Sequence, residues 1–220
     1  MPKFPGIDRS GYPGDSLMRL LRTEARVVWT GFYLAPAPSH PQAGWMQKRA
    51  FLRDLGYGLA PLYVGQQQGG PGSHILTAAQ GRIDALEAVR LARRAGFPDQ
   101  SVLYLDIESG PPAAAALMAY YRAWVQGVVA ADYTPGVYCS HLLARQFTTA
   151  DSRAIPWIFH LKFPNGHTFP LPLPVPAPSS SDFTGARMLQ FAQAATIRFS
   201  SRTLTPVDLD SSTTADPSIR

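Results

Sequence analysis

The chain has 220 residues, 45% of them hydrophobic and 16% charged, with 21 prolines and a formal net charge of +5. That length supports one substantial core, and that composition excludes a disordered or collagen-like chain. The positive balance favours polyanionic partners, yet the basic residues are scattered. The densest group, Arg90, Arg93 and Arg94, lies on a helical pattern with no stacking motif beside it, so nucleic acid is not expected as a partner.

In chain order, "FPGID" is a strand candidate ending at Asp8, and turn residues lead from it to a short helix over 16–22. The β-branched and aromatic run "ARVVWTGFYL" predicts a second strand. "GWMQKRAFLRDLG" predicts a helix stopped by Gly56, and "GLAPLYVGQ" a third strand ending in Gln66, Gln67 and Gln68. In "TAAQGRIDALEAVRLARRAG" the spacing of Ile83, Leu86 and Val89, with Leu91 on the next row, predicts a helix that buries this stripe. "SVLYLDIE" is the fourth strand, and "PPAAAALMAYYRAWVQGVVAAD" opens with prolines suited to a first helical turn. "TPGVYCS", "HLLARQF" and "AIPWIFHL" follow as strand, short helix and strand, and "ARMLQFAQ" and "TPVDLD" are the last two strands. The single cysteine, Cys139, falls in the fifth strand as a buried small hydrophobe, and no Cys/His set has zinc spacing.

Alternating strands and helices predict a parallel sheet, and eight strands predict its closure. The expected fold class is α/β, a compact (β/α)₈ TIM-like barrel with some helices short or missing. A helix is missing between strands six and seven, where a loop over about 162–185 is rich in proline. Such a loop serves as a lid, a groove wall or a spacer. Residues 1–212 are expected to form one domain, with 213–220 as a frayed C-terminal tail. The first strand-to-helix turn, "DRSGYPGDS", lacks G-x-G-x-x-G, and no G-x-x-x-x-G-K-S/T occurs, so no nucleotide or other cofactor is expected.

In such a barrel the C-terminal ends of the strands surround one site. Those ends supply Asp8, Tyr33, Gln66, Asp106 with Glu108, Tyr138, His160, Gln190 with Gln193, and Asp208 with Asp210. Strands one and eight are neighbours on closure, which sets Asp8 near Asp208, with Asp106 and Glu108 across the mouth. Asp106 and Glu108 are two residues apart and share a face if the strand reaches that far; like charges there raise one carboxyl's pKa. Acids with aromatics and amides, and no phosphate cradle, suit glycoside cleavage, in which one carboxyl protonates the leaving oxygen and another meets the developing positive charge. The competing use is a hard cation, less attractive without a phosphate cradle, and no metal is assigned. Of the four tryptophans, Trp157 is the expected sugar contact; Asp210 is given less weight than Asp208, as a residue bonding backbone at the strand end.

The stretches "GIDRSGY", "LYLDIES", "GVYCS", "MLQFAQ" and "VDLDSS", in that order, resemble the bacterial glycoside-hydrolase-like domain known as domain of unknown function 1906, related to the glycoside hydrolase family 25 lysozymes. The resemblance spans about residues 4–212 and is most specific over 81–108. It implies a muramidase of peptidoglycan with Glu108 as general acid, Asp106 as partner carboxylate, and Asp8 and Asp208 lining the same site. It places Gln190 in a strand that carries W-Q-Y in those lysozymes, with Phe191 where they have tyrosine. The alternatives are a catalytically inactive carbohydrate-binding barrel and a glycosidase of another polysaccharide. No window approaches about 18 uninterrupted apolar residues, so no membrane span is expected. The N-terminus lacks a signal-peptide core, so action at the periplasm or cell wall implies non-classical delivery, by phage lysis or a secretion apparatus, the latter with an immunity partner.

Overall fold

The computed structural model describes residues 3–199 and 206–220. Five strand–helix units come first: β1 (Phe4–Asp8), α1 (Asp15–Thr23), β2 (Trp29–Tyr33), α2 (Arg49–Asp54), β3 (Gly58–Val64), α3 (Ala78–Arg94), β4 (Val102–Ile107), α4 (Ala115–Ala130), β5 (Thr134–Ser140) and α5 (Ala144–Ala150). β6 (Ile155–Phe159), β7 (Thr168–Pro170), β8 (Met188–Arg198) and β9 (Val207–Ser212) complete the chain. Thr205, the first residue of the last predicted strand, lies outside the described residues.

β1 to β6 pair in sequence as a parallel sheet, and β6 pairs with β8 to close the ring through β9 back to β1. The result is the predicted closed eight-stranded α/β barrel, with β7 as a short ninth strand on the far half of β8. One feature departs from the all-parallel expectation: β9 runs antiparallel to both β8 and β1. A parallel return needs a crossover of about a dozen residues or more, and the interval from Arg198 to Val207 is too short for one. The mouth therefore receives the first half of β9 rather than its end.

No α-helix lies between β6 and β8; the proline-rich segment holds β7 and one turn of 3₁₀ helix at Pro178–Ser181. Phe163 and Phe169 stand edge to face, ring centroids 4.8 Å apart, and both pack on Phe191 of β8. The loop is a wall built onto the barrel rather than a spacer, and Phe191 belongs to that wall.

α3 turns a different face inward from the predicted one. Val89 and Leu91 are buried, but Ile83 and Leu86 are 57% and 65% exposed. The inward row is Gly81, Ala85, Ala88 and Ala92, packed on α4. A Cβ on Gly81 would come within 2.3 Å of the Tyr120 carbonyl oxygen, and one on Gly127 within 2.6 Å of the Ala85 methyl. The helices approach too closely for large side chains between them, so the small residues face inward.

The barrel interior is filled by aromatic rings in space that glycines leave open. Trp157 stands edge-on to Trp29, Tyr104 and Tyr138, with centroids 5.4, 5.7 and 5.3 Å away. A Cβ on Gly6 would fall 2.1 Å from the Trp29 ring, and one on Gly136 2.4 Å from Tyr104. Beneath this layer the C-terminal residues close the barrel floor. Val102 N–H donates to the Ser218 carbonyl at 2.9 Å and the Tyr104 hydroxyl to the Pro217 carbonyl at 2.9 Å. The expectation of a frayed tail is thus corrected: its polar groups complete the open ends of β3 and β4.

Candidate active site at the barrel mouth

Three strands bring five carboxyls to the mouth. β1 ends at Asp8, whose register partner on β9 is Asp208, and Asp210 pairs with Gly6 two residues earlier. β4 carries Asp106, flanked by Val64 and Tyr138, and Glu108 follows just past the strand's end. Gly31 on β2 leaves the room this needs, since a Cβ there would press to 2.9 Å on the Asp8 side chain.

Asp8 Oδ1 accepts from the Tyr33 hydroxyl at 2.7 Å, and Asp210 Oδ1 from the Trp157 indole N–H at 2.9 Å. Asp8 and Asp210 are close enough to act on each other, and a proton kept on one of them would bond the other. With both ionised, Asp8 Oδ2 and Asp210 Oδ2 would be buried without a partner, as Asp106 Oδ1 is. Burial, and the nearby charges of Asp208 and Glu108, push the Asp8 carboxyl up to about 7 against the pull of Tyr33 and Asp210. Burial first, then Glu108 and Asp8, hold Asp106 well above the usual carboxylate range. Asp210 is raised by burial and by Asp8. Glu108 is exposed at the rim, yet the protein crowding its carboxyl still raises its pKa. Burial also raises Asp208, opposed by the Ala194 N–H that donates to its Oδ1 at 2.6 Å.

Two hollows flank Glu108. One, of about 340 Å³, is lined by Ile107, Tyr138, Ser140, Phe159 and Gln193; the other, of about 520 Å³, by Gln67, Gln68, Gly69, Gly70 and Pro71. Glu108, Ser109 and Gly110 line both, so the exposed carboxyl sits between two spaces of the size small-ligand sites have. A carboxyl there with a raised pKa, and buried carboxyls behind it, has the character of an acid that gives up a proton at the rim.

Asp8, Asp106, Glu108 and Asp208 thus come together, with Tyr33 bonded to Asp8 and the Tyr138 hydroxyl donating to Gln190 Oε1. Three expected contacts are placed elsewhere. Gln66 is buried in a network behind β3, its Nε2 donating to Asp84 at 3.2 Å and its Oε1 accepting from Ile75 N–H at 2.8 Å. Trp157 is fully buried under the carboxyls, and its indole N–H bonds Asp210. His160 bonds the Ser181 carbonyl through Nδ1 at 2.9 Å and stacks on His141 at 3.9 Å, tying the proline-rich loop to the barrel. Asp210 was under-weighted: the two-residue spacing that joins Asp106 to Glu108 also joins Asp208 to Asp210. Ser140 and Phe159 carried no sequence signal beyond lying at strand ends.

Among the described residues one group has metal-ligand types close together, His141, His160 and Asp182. The Lys162 ammonium stands 3.2 Å from His160 Nδ1 and 3.9 Å from Asp182, where it competes with any second cation.

Over residues 24–212 the chain matches the family model described as Rv2525c-like, glycoside hydrolase-like domain. No curated protein sequence matches it. Among solved structures it is similar to an uncharacterised B. stearothermophilus protein, with 21% identity, 94% of each chain covered and a TM-score of 0.66. It is similar to the Mycobacterium tuberculosis Tat-secreted protein Rv2525c solved with L-tartrate, with 14% identity, 94% of this chain and 93% of that one covered, and a TM-score of 0.61. It is also similar to the modular autolysin LytC of Streptococcus pneumoniae in complex with a synthetic peptidoglycan ligand. There the identity is 13%, the coverage 95% of this chain and 46% of that one, and the TM-score 0.62.

Proposed function

The chain belongs to the Rv2525c-like, glycoside hydrolase-like domain family, and from that premise we propose that it is a peptidoglycan-cleaving glycoside hydrolase, an N-acetylmuramidase with Glu108 as general acid and Asp106 as partner carboxylate. The observation that carries the reading is the exposed Glu108 between two hollows, its pKa raised by the protein around it and buried carboxyls behind it. The fold it shares with LytC, solved with a peptidoglycan ligand, supports the substrate class.

In the proposed reaction a glycan strand lies across Glu108 with one sugar in each hollow. Glu108 gives its proton to the glycosidic oxygen as the bond to the anomeric carbon breaks, and Asp106 in its ionised form meets the oxocarbenium-like charge. Hydrolysis ends with water's hydroxyl on the anomeric carbon and its proton restored to the acid pair. The net charge of +5 draws the protein to anionic wall polymer, an attraction that salt screens. The proposed site of action is the cell wall. No helix among the described residues is long and apolar enough to cross a membrane. Rv2525c is Tat-secreted, so export is a route for this fold beside delivery by lysis or a secretion apparatus.

The test is reducing-end release and muropeptide mass analysis on purified peptidoglycan, beside Glu108→Gln. The expected outcome is fragments ending in reducing muramic acid from the wild type, and a loss of about 10²- to 10⁴-fold in the variant. Saturable binding to the wall with no fragments from the wild type would make the protein a carbohydrate-binding barrel. Cleavage of another polymer on a glycan panel would reassign the substrate.

A further inference from the structure

β3 and β4 form a parallel ladder up to the pair Val64 and Asp106, where β3 ends. In such a ladder the residue opposite Ile107 donates its N–H to the Asp106 carbonyl and accepts from the Glu108 N–H. That residue is Gly65, one past the end of β3, and the Glu108 N–H bonds a side chain rather than this backbone. The Gln67 side chain reaches both groups: Nε2 donates to the Asp106 carbonyl at 2.9 Å, and Oε1 accepts from the Glu108 N–H at 3.0 Å.

The carboxamide that does this is itself held. Gln67 is 3% exposed; its N–H donates to the Ser73 carbonyl at 2.8 Å, and its carbonyl lies 2.8 Å from His74 Nδ1. Its neighbours anchor the same turn on both sides. Gln66 ties to Asp84 of α3, and Gln68 N–H donates to the Ser109 hydroxyl at 3.2 Å while its Oε1 accepts from Ala114 N–H at 2.8 Å. Three consecutive glutamines thus connect the end of β3 to the helix layer, to the D-x-E backbone and to the loop that follows it.

We infer that Gln67 is the positioning residue for Glu108: its carboxamide extends the ladder past the end of β3 and fixes the backbone from Asp106 through Glu108. The inference rests on the proposed role of Glu108 as general acid. Glu108 lies beyond its strand, where a general acid still has to be held to a fraction of an ångström, and this pair of bonds is what ties its backbone on the β3 side.

The experiment compares Gln67→Ala and Gln67→Glu with the wild type as full chains. Gln67→Glu keeps an acceptor for the Glu108 N–H and loses the donor to the Asp106 carbonyl. For Gln67→Ala we expect kcat on peptidoglycan to fall roughly 100-fold with KM within about twofold, and the pH limb assigned to Glu108 to move. The Glu108 amide should exchange roughly tenfold faster while the Leu103 and Leu105 amides keep their protection, as loss of one hydrogen bond requires. Gln67→Glu should fall between. Unchanged kcat, pH limb and Glu108 amide exchange in Gln67→Ala would overturn the inference. If the wild type cuts no wall polymer, the proposed function fails separately. The amide exchange and the ¹³C titration of the Glu108 carboxyl then decide alone: a change supports Gln67 as the positioning residue, and no change overturns it.

Discussion

The two ends of the barrel hold their carboxyls on opposite terms. At the floor, Asp216 is met by donors on every side: its Oδ1 accepts from Leu59 N–H at 3.1 Å, Ser218 N–H at 3.2 Å and the Ser218 hydroxyl at 2.8 Å, and its Oδ2 pairs with Arg53. At the mouth, Asp8, Asp106 and Asp210 each keep a buried oxygen that no donor other than a neighbouring carboxyl could reach. A buried polar group without a partner costs stability, so such groups persist where something other than stability selects them. The floor carboxylate joins the C-terminal residues to the barrel; the mouth carboxyls crowd one another and hold protons that water would have taken. The same chemical group thus reads as structure at one end and as site at the other, and what separates them is the supply of donors.

That contrast has consequences of graded size. Asp216→Ala removes the acceptor for three donors and the partner of Arg53, and should cost about 2–3 kcal/mol in denaturant unfolding, since hydrogen bonds to charged groups are the stronger ones. The carboxyl titrations at the mouth should stay as they were; if they moved with the floor, the two ends would not be independent. Gly136→Ala is expected to cost somewhat less, about 1–3 kcal/mol, because the added methyl meets the Tyr104 ring at 2.4 Å and the aromatic layer has to shift. A thermal melt at one pH checks it. A neutral result would mean that the ring moves aside freely and that the layer under the carboxyls is softer than its packing shows.

How far the sequence revealed this follows from which forces are local. The strand and helix order was legible because period and turn chemistry are local, and the position of the acids at strand ends followed from it. β9 was misdirected because alternation alone does not report direction; the short interval after Arg198 was the signal, and it outweighs the pattern. The buried face of α3 was misread because size decides it: Ile83 and Leu86 look like a core stripe, but the close approach of α4 admits only Gly81 and alanines. Spacing and closure suffice to bring Asp8, Asp106, Glu108 and Asp208 to one mouth, whereas Gln66 and Gln67 have the same chemistry and adjacent positions. Past the end of a strand no parity rule says which of two glutamines turns to the mouth. Trp157 is expected as the sugar contact among four largely core tryptophans and instead fills the barrel, because hydropathy does not distinguish a ring that stacks on sugar from one that packs inside.

The remaining effect is the one whose sign depends on pH. Asp8 binds its proton more tightly folded than unfolded, with a carboxyl pushed from an ordinary value near 3.8 up to about 7. Between those two values the unfolded chain has released the proton and the native chain keeps it, so stability is greatest below the unfolded value and falls as pH rises toward 7. Asp8→Asn removes this titration while keeping an acceptor for Tyr33 and adding a donor toward Asp210. Against the wild type it should therefore gain about 4 kcal/mol at pH 8 and show little advantage at pH 4. Melts across that range would decide it. A variant that lost stability at pH 8 would mean that the Asp8 carboxylate is satisfied after all, and the distinction between mouth and floor would fail at the residue where it is drawn most sharply.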